Sequence, residues 1–182
     1  RPISSDTGLG AIEQETIALM NAFTTPVAYT PTASLHSEQS VLAGYIAKLL
    51  AMIDVAKVKP LHVLVNGGNG CAGPFFDALG QHLPLKVTRM NHEPDGTFPN
   101  DVPNPMLLEQ QQLTAKAVVA AGADLGIAWD GDFDRCFFFD ENGRFIEGYY
   151  LVGLLAEQLL KKSPKSAIVH DPRLEWNTIE KV

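Results

Sequence analysis

The chain has 182 residues, 46% of them hydrophobic and 19% charged, a composition typical of a globular protein with one sizeable core. Its formal net charge of −7 argues against a nucleic-acid partner, because such binding depends on many Lys and Arg contacts to phosphate. No apolar run could span a bilayer and no basic-then-apolar leader precedes the first helix, so we expect no membrane partner. Cys71 and Cys136 lie far apart and in no metal-type spacing, which predicts free, mostly buried thiols in a reducing compartment and therefore a cytoplasmic protein.

The first third of the chain predicts two helices followed by a buried strand. Residues 8–21 have weak helical periodicity, and the Thr- and Pro-rich residues 24–34 are typical of a linker. Ser37 is predicted to cap a second helix, whose apolar residues recur at helical spacing between positions 42 and 53. The apolar residues 61–65 then predict a strand.

A glycine-rich turn, residues 66–73, follows that strand and leads into a helix with Pro74 in its first turn. A turn from strand to helix can bind phosphate through its backbone N–H groups. The spacing here matches neither a P-loop nor G-x-G-x-x-G, so a purely structural turn is the favoured interpretation. His62, inside the preceding strand, is more typical of a core or edge histidine than of a ligand.

The remainder alternates between strands and helices around one hairpin. Glu93 and Asp95, in a long Pro-rich loop, either reach toward a site or form a turn around Pro94 and Gly96. The order predicts an α/β fold with a mixed β-sheet flanked by helices. The predicted elements are a strand over residues 85–90, the loop over 91–106, a helix over 107–121, strands over 125–129 and 136–139, a returning strand over 145–147, a helix over 150–160 and a strand over 167–170.

An acidic cluster, Asp130, Asp132 and Asp134, lies between two apolar strands and is followed by Arg135. Side chains two residues apart in an extended strand stand roughly 6.6 Å apart, so we expect Gly131 to supply a bend that gathers the carboxylates. Gathered carboxylates repel one another unless a cation lies among them, and Mg²⁺ is the usual choice beside phosphate. Arg135 offers a planar fork of donors suited to a phosphoryl group.

Other interpretations of this cluster differ in what Asp130 does. An EF-hand is disfavoured, since position 6 counted from Asp130 is Arg135 rather than Gly and strands flank the loop. In a haloacid-dehalogenase-like phosphatase, Asp130 would be the nucleophile. A non-catalytic module that binds a divalent cation and a solvated acidic surface loop are the remaining alternatives.

Six stretches together resemble the bacterial phosphomannomutases of the α-D-phosphohexomutase superfamily. The resemblance covers essentially the whole chain, and the acidic cluster is its most specific part. The stretches are residues 66–73, 94–99, 103–105, 130–135, 145–155 and 170–173.

The resemblance implies a four-domain enzyme that moves phosphate between the 1- and 6-positions of a hexose through a phosphoserine and a bisphosphate intermediate. It implies that Asp130, Asp132 and Asp134 bind Mg²⁺ and that Arg135 faces the phosphate in transit. The partners would be a mannose or glucose phosphate and the other domains of the same chain. Residues 1–36 would be the tail of domain 1 with a linker, residues 37–165 domain 2 of phosphoglucomutase type, and residues 166–182 the start of domain 3.

The sequence departs from the family pattern in three places. Many relatives have a small residue in place of Phe133, and relatives often have a His where this chain has Asp101 and Val102. A T-A-S-H-N-P-like loop with the phosphorylated serine does not occur in these 182 residues; residues 32–36 match it only superficially. Together with a first residue that is not Met, this predicts an excised fragment that binds magnesium but cannot turn over alone.

Overall fold

The computed structural model describes residues 4–22, 37 and 39–171, which belong to two compact units, residues 1–40 and 41–182. In the first unit, a short 3₁₀ turn (Ser5–Thr7) precedes helix α1 (Leu9–Ala22), close to the predicted span. Every residue of α1 is exposed, including Leu9, Ile12 and Met20. The predicted linker and residues 32–36 lie outside the described residues.

The second unit contains a five-stranded mixed sheet, as predicted. The strand order is β2-β1-β3-β4-β5, with β1, β2 and β3 parallel and the last two strands antiparallel. Because Asn66 is level with both Met90 and Ala128, the carboxyl ends of the three parallel strands share one edge, at which β4 begins. The strands are β1 (His62–Asn66), β2 (Lys86–Met90), β3 (Leu125–Trp129), β4 (Cys136–Phe139) and β5 (Phe145–Ile146).

Four helices accompany this sheet: α2 (Leu42–Leu50), α3 (Ala72–Gly80), α4 (Leu108–Ala121) and α5 (Gly148–Lys162). Pro74 lies in the first turn of α3, as predicted, and the left-handed Gly122 (φ 58°) ends α4. Within the described residues, none of the helices combines the length and apolar character needed to cross a membrane.

The core has two parts, one on each face of the sheet. Leu64 and Phe139 pack with Val118 of α4, whereas Val63 and Val65 pack with Phe76 of α3. Neighbouring residues of β1 thus contribute to opposite clusters, because successive side chains of a strand point to opposite faces. The sheet is therefore covered by helix on both sides, and only its edges are left to carry loops.

Three local predictions were wrong. Residues 166–171 form no strand: Val169 is 97% exposed, and no described strand lies alongside to accept its hydrogen bonds. Ser37 does not cap α2, which begins at Leu42 with Val41 at the cap position. Both cysteines are free, as expected, but exposed rather than buried.

His62 has the structural role that its position in a strand predicted. Its Nε2 lies 2.8 Å from Oγ1 of Thr88 and its Nδ1 lies 3.1 Å from the carbonyl oxygen of Gly122. The ring therefore ties β1 to β2 and to the end of α4.

Candidate metal centre

The acidic loop, residues 130–135, joins β3 to β4 at the carboxyl edge of the sheet. The N–H of Phe133 donates to the carbonyl oxygen of Asp130 over 3.2 Å, which closes a turn. The left-handed residue of this turn is Phe133, with φ 50°, and not Gly131 as expected. A left-handed backbone strains a phenylalanine, so the surroundings must hold it in place.

Aromatic stacking supplies that support. The Phe133 ring stacks on Phe75 of α3 with centroids 5.1 Å apart, and Phe75 in turn contacts Tyr45 of α2 at the same centroid distance. Such pairs stabilise by about 0.5–1.5 kcal/mol beyond the area they bury. Phe133, the residue with the strained backbone, therefore also anchors the acidic loop to α3 and, through Phe75, to α2.

The turn brings Asp130, Asp132 and Asp134 together. One carboxylate oxygen from each lies within 4.8 Å of the others, and no other such group of His, Cys, Asp or Glu occurs among residues 4–22, 37 and 39–171. Asp130 is buried, whereas Asp132 and Asp134 are exposed. The site thus has one fixed carboxylate at its base and two at the solvent side.

Arg135 lies on Asp130 rather than pointing away from it. Its Nε donates to Oδ2 of Asp130 over 2.6 Å, its Nη2 lies 2.5 Å from the same oxygen, and its backbone N–H donates to Oδ1 over 3.1 Å. Burial raises the pKa of Asp130, but the hydrogen bonds and charge of Arg135 outweigh it and hold that pKa below its ordinary value. The side-chain hydrogen bond to Asp130 likewise raises the pKa of Arg135.

The glycine-rich turn has a structural role, as its spacing favoured. All five backbone N–H groups from residue 67 to residue 71 donate hydrogen bonds within the protein. These five groups are therefore not free to bind a phosphate. The last of them, the N–H of Cys71, donates to the carbonyl oxygen of Gly131 over 2.9 Å and joins the turn to the acidic loop.

The absence of a side chain at Gly70 makes that contact possible, and Gly131 lies against the long loop. A Cβ on Gly70 would overlap the backbone of Gly131, with the Gly131 Cα only 2.8 Å away. A Cβ on Gly131 would approach Pro103 Cγ to 3.3 Å and Phe98 Cζ to 3.6 Å. Gly131 therefore leaves room for the long loop, and its backbone does not have the left-handed conformation of the bend.

The long loop, residues 91–106, packs against the same place through Phe98 and Pro103. Asp95 does not reach the carboxylates: its Oδ1 accepts hydrogen bonds from the N–H (2.9 Å) and Oγ1 (2.7 Å) of Thr97. Those bonds hold the pKa of Asp95 below its ordinary value. The turn interpretation of Asp95 is therefore confirmed, and neither Asp95 nor Glu93 belongs to the acidic cluster.

Comparisons with known proteins match this architecture to one family. Residues 43–143 match the family model described as "Phosphoglucomutase/phosphomannomutase, alpha/beta/alpha domain II". The whole chain is 58% identical over 182 residues to "Phosphohexose mutases" of Xanthomonas campestris pv. campestris, of which it covers 39%. It is 50% identical over 183 residues to "Phosphomannomutase" of Salmonella montevideo, with 98% of this chain and 39% of that protein covered.

Solved structures agree on the fold. A phosphoglucomutase/phosphomannomutase family protein from Burkholderia thailandensis superposes with a TM-score of 0.74 at 27% identity, covering 98% of this chain and 38% of that one. A putative phosphomannomutase from Thermus thermophilus superposes with a TM-score of 0.60 at 20% identity, covering 69% and 30% of the two chains. The chain therefore spans about two fifths of the length of the relatives it matches.

Proposed function

The chain belongs to the phosphoglucomutase/phosphomannomutase family, and we propose that it is the magnesium-binding domain of a phosphohexomutase. The enzyme would interconvert hexose 6-phosphate and hexose 1-phosphate, an isomerisation by phosphoryl transfer, in the cytoplasm. The observation that carries this proposal is the convergence of Asp130, Asp132 and Asp134 within 4.8 Å, inside the region matched to domain II.

The side chains present fit a hard divalent cation. Asp130, Asp132 and Asp134 offer oxygen donors only, and together with Arg135 they leave two negative charges in excess. Mg²⁺ prefers six oxygen ligands and keeps several water or phosphate oxygens when proteins bind it. Three carboxylates at a solvent-facing edge leave those positions open. The ion would neutralise charge on the phosphoryl oxygens during transfer.

Arg135 would change partners when the ion is bound. It now donates two side-chain nitrogens to the same oxygen of Asp130, and a divalent cation on that carboxylate would compete for the oxygen and repel the guanidinium. Since 53% of the Arg135 side chain is exposed, it has room to turn toward a phosphoryl group. Its planar fork of donors suits two phosphate oxygens.

The other parts of the reaction would come from the rest of a longer protein. We assign residues 1–36 to the tail of domain 1 and a linker, residues 37–165 to domain 2, and residues 166–182 to the start of domain 3. The phosphoserine and the sugar-binding groups would lie in the other domains, which are the partners of this one. We therefore expect no mutase activity from the 182-residue chain alone, and measurable turnover would contradict that assignment.

Thermal unfolding with and without magnesium chloride tests the metal site. A ligand that binds only the folded state stabilises it by about 2.7 kcal/mol at 100 times its Kd. The wild-type chain should therefore unfold at higher temperature in Mg²⁺, while Asp132→Asn and Asp134→Asn should lose most of that rise. Glu141→Gln, an exposed acid on the hairpin at the opposite edge of the sheet, should keep it. An equal rise in all four proteins would indicate a nonspecific salt effect and would contradict the proposal.

Asp130 also bears on the phosphatase alternative. A phosphatase would use one Asp130 oxygen as a nucleophile on phosphorus, whereas the proposed function uses that carboxylate only as a metal ligand beside Arg135. Beryllofluoride, which mimics an aspartyl phosphate, should therefore not bind the wild-type chain. Binding that disappears in Asp130→Asn would favour the phosphatase instead.

A further inference from the structure

Asn69 lies in the glycine-rich turn, one of three loops that meet at the carboxyl edge of the sheet. Its backbone is left-handed, with φ 55°, a conformation that asparagine adopts more readily than most residues. Its side-chain Nδ2 donates to the carbonyl oxygen of Glu93 over 2.9 Å, and its Oδ1 accepts from Nδ2 of Asn100 over 2.8 Å. Both the nitrogen and the oxygen of the Asn69 side-chain amide thus form hydrogen bonds with the long loop.

The backbone of Asn69 binds the same loop twice more. Its N–H donates to the carbonyl oxygen of Asn91 over 2.7 Å, and its carbonyl oxygen accepts from the N–H of Asp95 over 2.8 Å. One residue therefore makes four hydrogen bonds to residues 91–100. A segment of this length without helix or strand depends on such fixed points for its shape.

The long loop and the glycine-rich turn both contact the acidic loop at Gly131. Phe98 and Pro103 of the long loop surround Gly131, and Cys71 of the glycine-rich turn donates to its carbonyl oxygen. The acidic loop is therefore held from two sides by segments that Asn69 ties together. Loosening that tie would let Gly131, and the carboxylates on either side of it, move.

We propose that Asn69 is a positioning residue for the metal centre: it binds no metal itself but sets how tightly the three aspartates hold the ion. This inference rests on the proposed function, since it presupposes that the acidic cluster binds Mg²⁺. Supporting groups around a metal commonly change its affinity by about 10–100-fold when removed. Asn69 acts through the neighbouring loops rather than directly on a ligand, so we expect a smaller factor of about threefold to tenfold.

Asn69→Gly is the most informative variant. Glycine adopts the left-handed backbone freely, so the substitution removes the two side-chain hydrogen bonds without adding backbone strain. Its matched control is Asn142→Gly, on the hairpin at the opposite edge of the sheet, where Nδ2 bonds only the exposed Glu141. Asn100→Ala removes one of the two side-chain bonds by a change outside the glycine-rich turn, and it serves if Asn69→Gly does not fold.

The measurement is the Kd for magnesium chloride, by titration calorimetry on the 182-residue chain at a temperature where circular dichroism shows every variant to be fully folded. Asn69→Gly should raise the Kd about threefold to tenfold, Asn100→Ala should raise it less, and Asn142→Gly should leave it unchanged. Asn69→Asp keeps the acceptor for Asn100 and should fall between wild type and Asn69→Gly.

The possible outcomes distinguish a failure of this inference from a failure of the proposed magnesium site. If the wild-type chain binds Mg²⁺ and Asn69→Gly binds it equally tightly, Asn69 has only a structural role, and a lower unfolding temperature with an unchanged Kd would show the same. If the wild-type chain binds no Mg²⁺, the proposed metal site is wrong and the inference falls with it.

Discussion

Gly70→Ala should damage the metal centre without touching any carboxylate. The new Cβ would overlap the carbonyl oxygen of Gly131 most deeply and would also lie 2.8 Å from its Cα, whereas ordinary contacts begin near 3.4 Å, so the two loops would have to separate by at least about 0.6 Å. Overpacking of this kind destabilises by about 1–3 kcal/mol. Separation would also stretch the Cys71 to Gly131 hydrogen bond, which contributes about 1 kcal/mol.

The expected loss in the free energy of unfolding is therefore about 2–4 kcal/mol. For a chain of this size that corresponds to a fall of about 6–12 °C in the unfolding temperature. Urea denaturation measures the free energy, and thermal unfolding with and without magnesium chloride measures the effect on the site. We expect the magnesium-dependent rise to shrink as well, because the acidic loop can no longer lie against the glycine-rich turn.

Gly80→Ala is the matched control, since it makes the same chemical change ten residues along the chain but should raise the free energy of unfolding instead of lowering it. Gly80 is the last residue of α3, and a Cβ there would meet only the Phe76 ring at 3.9 Å. Alanine favours helix over glycine, so a gain of about 0.5 kcal/mol is expected. If Gly70→Ala unfolds at the wild-type urea concentration and keeps its full response to magnesium, the close contact between residues 70 and 131 does not exist in solution.

Three further predictions concern charge and packing. Arg135→Gln should lower the unfolding temperature in the absence of magnesium, because the buried Asp130 carboxylate loses its cation. Magnesium chloride should then raise the unfolding temperature of this variant more than that of wild type. An equal rise would contradict the competition between guanidinium and metal. Val118→Ala should lower the free energy of unfolding in urea by about 2 kcal/mol, because its side chain is fully buried, while Val119→Ala on the exposed side of α4 should change it by less than about 0.5 kcal/mol. Burial raises the pKa of Asp77, but the hydrogen bonds and charges of Arg89 and His92 outweigh burial and hold that pKa below the ordinary 3.8. The Asp77 carboxylate therefore contributes its full stabilisation above pH 3.8, and that stabilisation is lost as the pH falls through the lowered pKa. Since this carboxylate is 38% exposed, Asp77→Asn should cost about 1 kcal/mol or less at pH 6 and still less at pH 3, and an equal loss at both would exclude the ionic contribution.

Much of the sheet could be predicted because β1, β3 and β4 each contain a short apolar run with a clear boundary. Residues 63–65 and 125–129 are apolar, as strands covered on both faces are, and the Asn142–Gly143 turn marks the hairpin beyond them. The strand predicted over 167–170 has the same kind of local sequence but lies beside no described strand. A strand needs a hydrogen-bonding neighbour, and no local pattern supplies one.

The acidic cluster was predictable because its members are neighbours in the sequence. The contacts that support the cluster were not predictable, since they join residues that are distant in the sequence. Asn69 bonds to residues 24 and 31 positions away, and Gly70 meets a residue even further along the chain. The left-handed backbone also fell on Phe133, a residue whose type gives no warning, while the glycine two positions earlier was the obvious candidate.

These observations assign the two kinds of residue in the site to different tasks. The three carboxylates supply charge, and they would repel one another in an unsupported loop. Arg135 bonds to both Asp130 and Asp134, and neutral contacts support the loop around them: the stacked ring of Phe133, the contact between Gly70 and Gly131, and the amide of Asn69. Because none of these neutral contacts uses the Arg135 guanidinium, we expect them to remain if a metal ion displaces it. Variants of the neutral residues should therefore weaken metal binding while leaving the number of ligands unchanged, whereas variants of Asp132 and Asp134 should remove a ligand each.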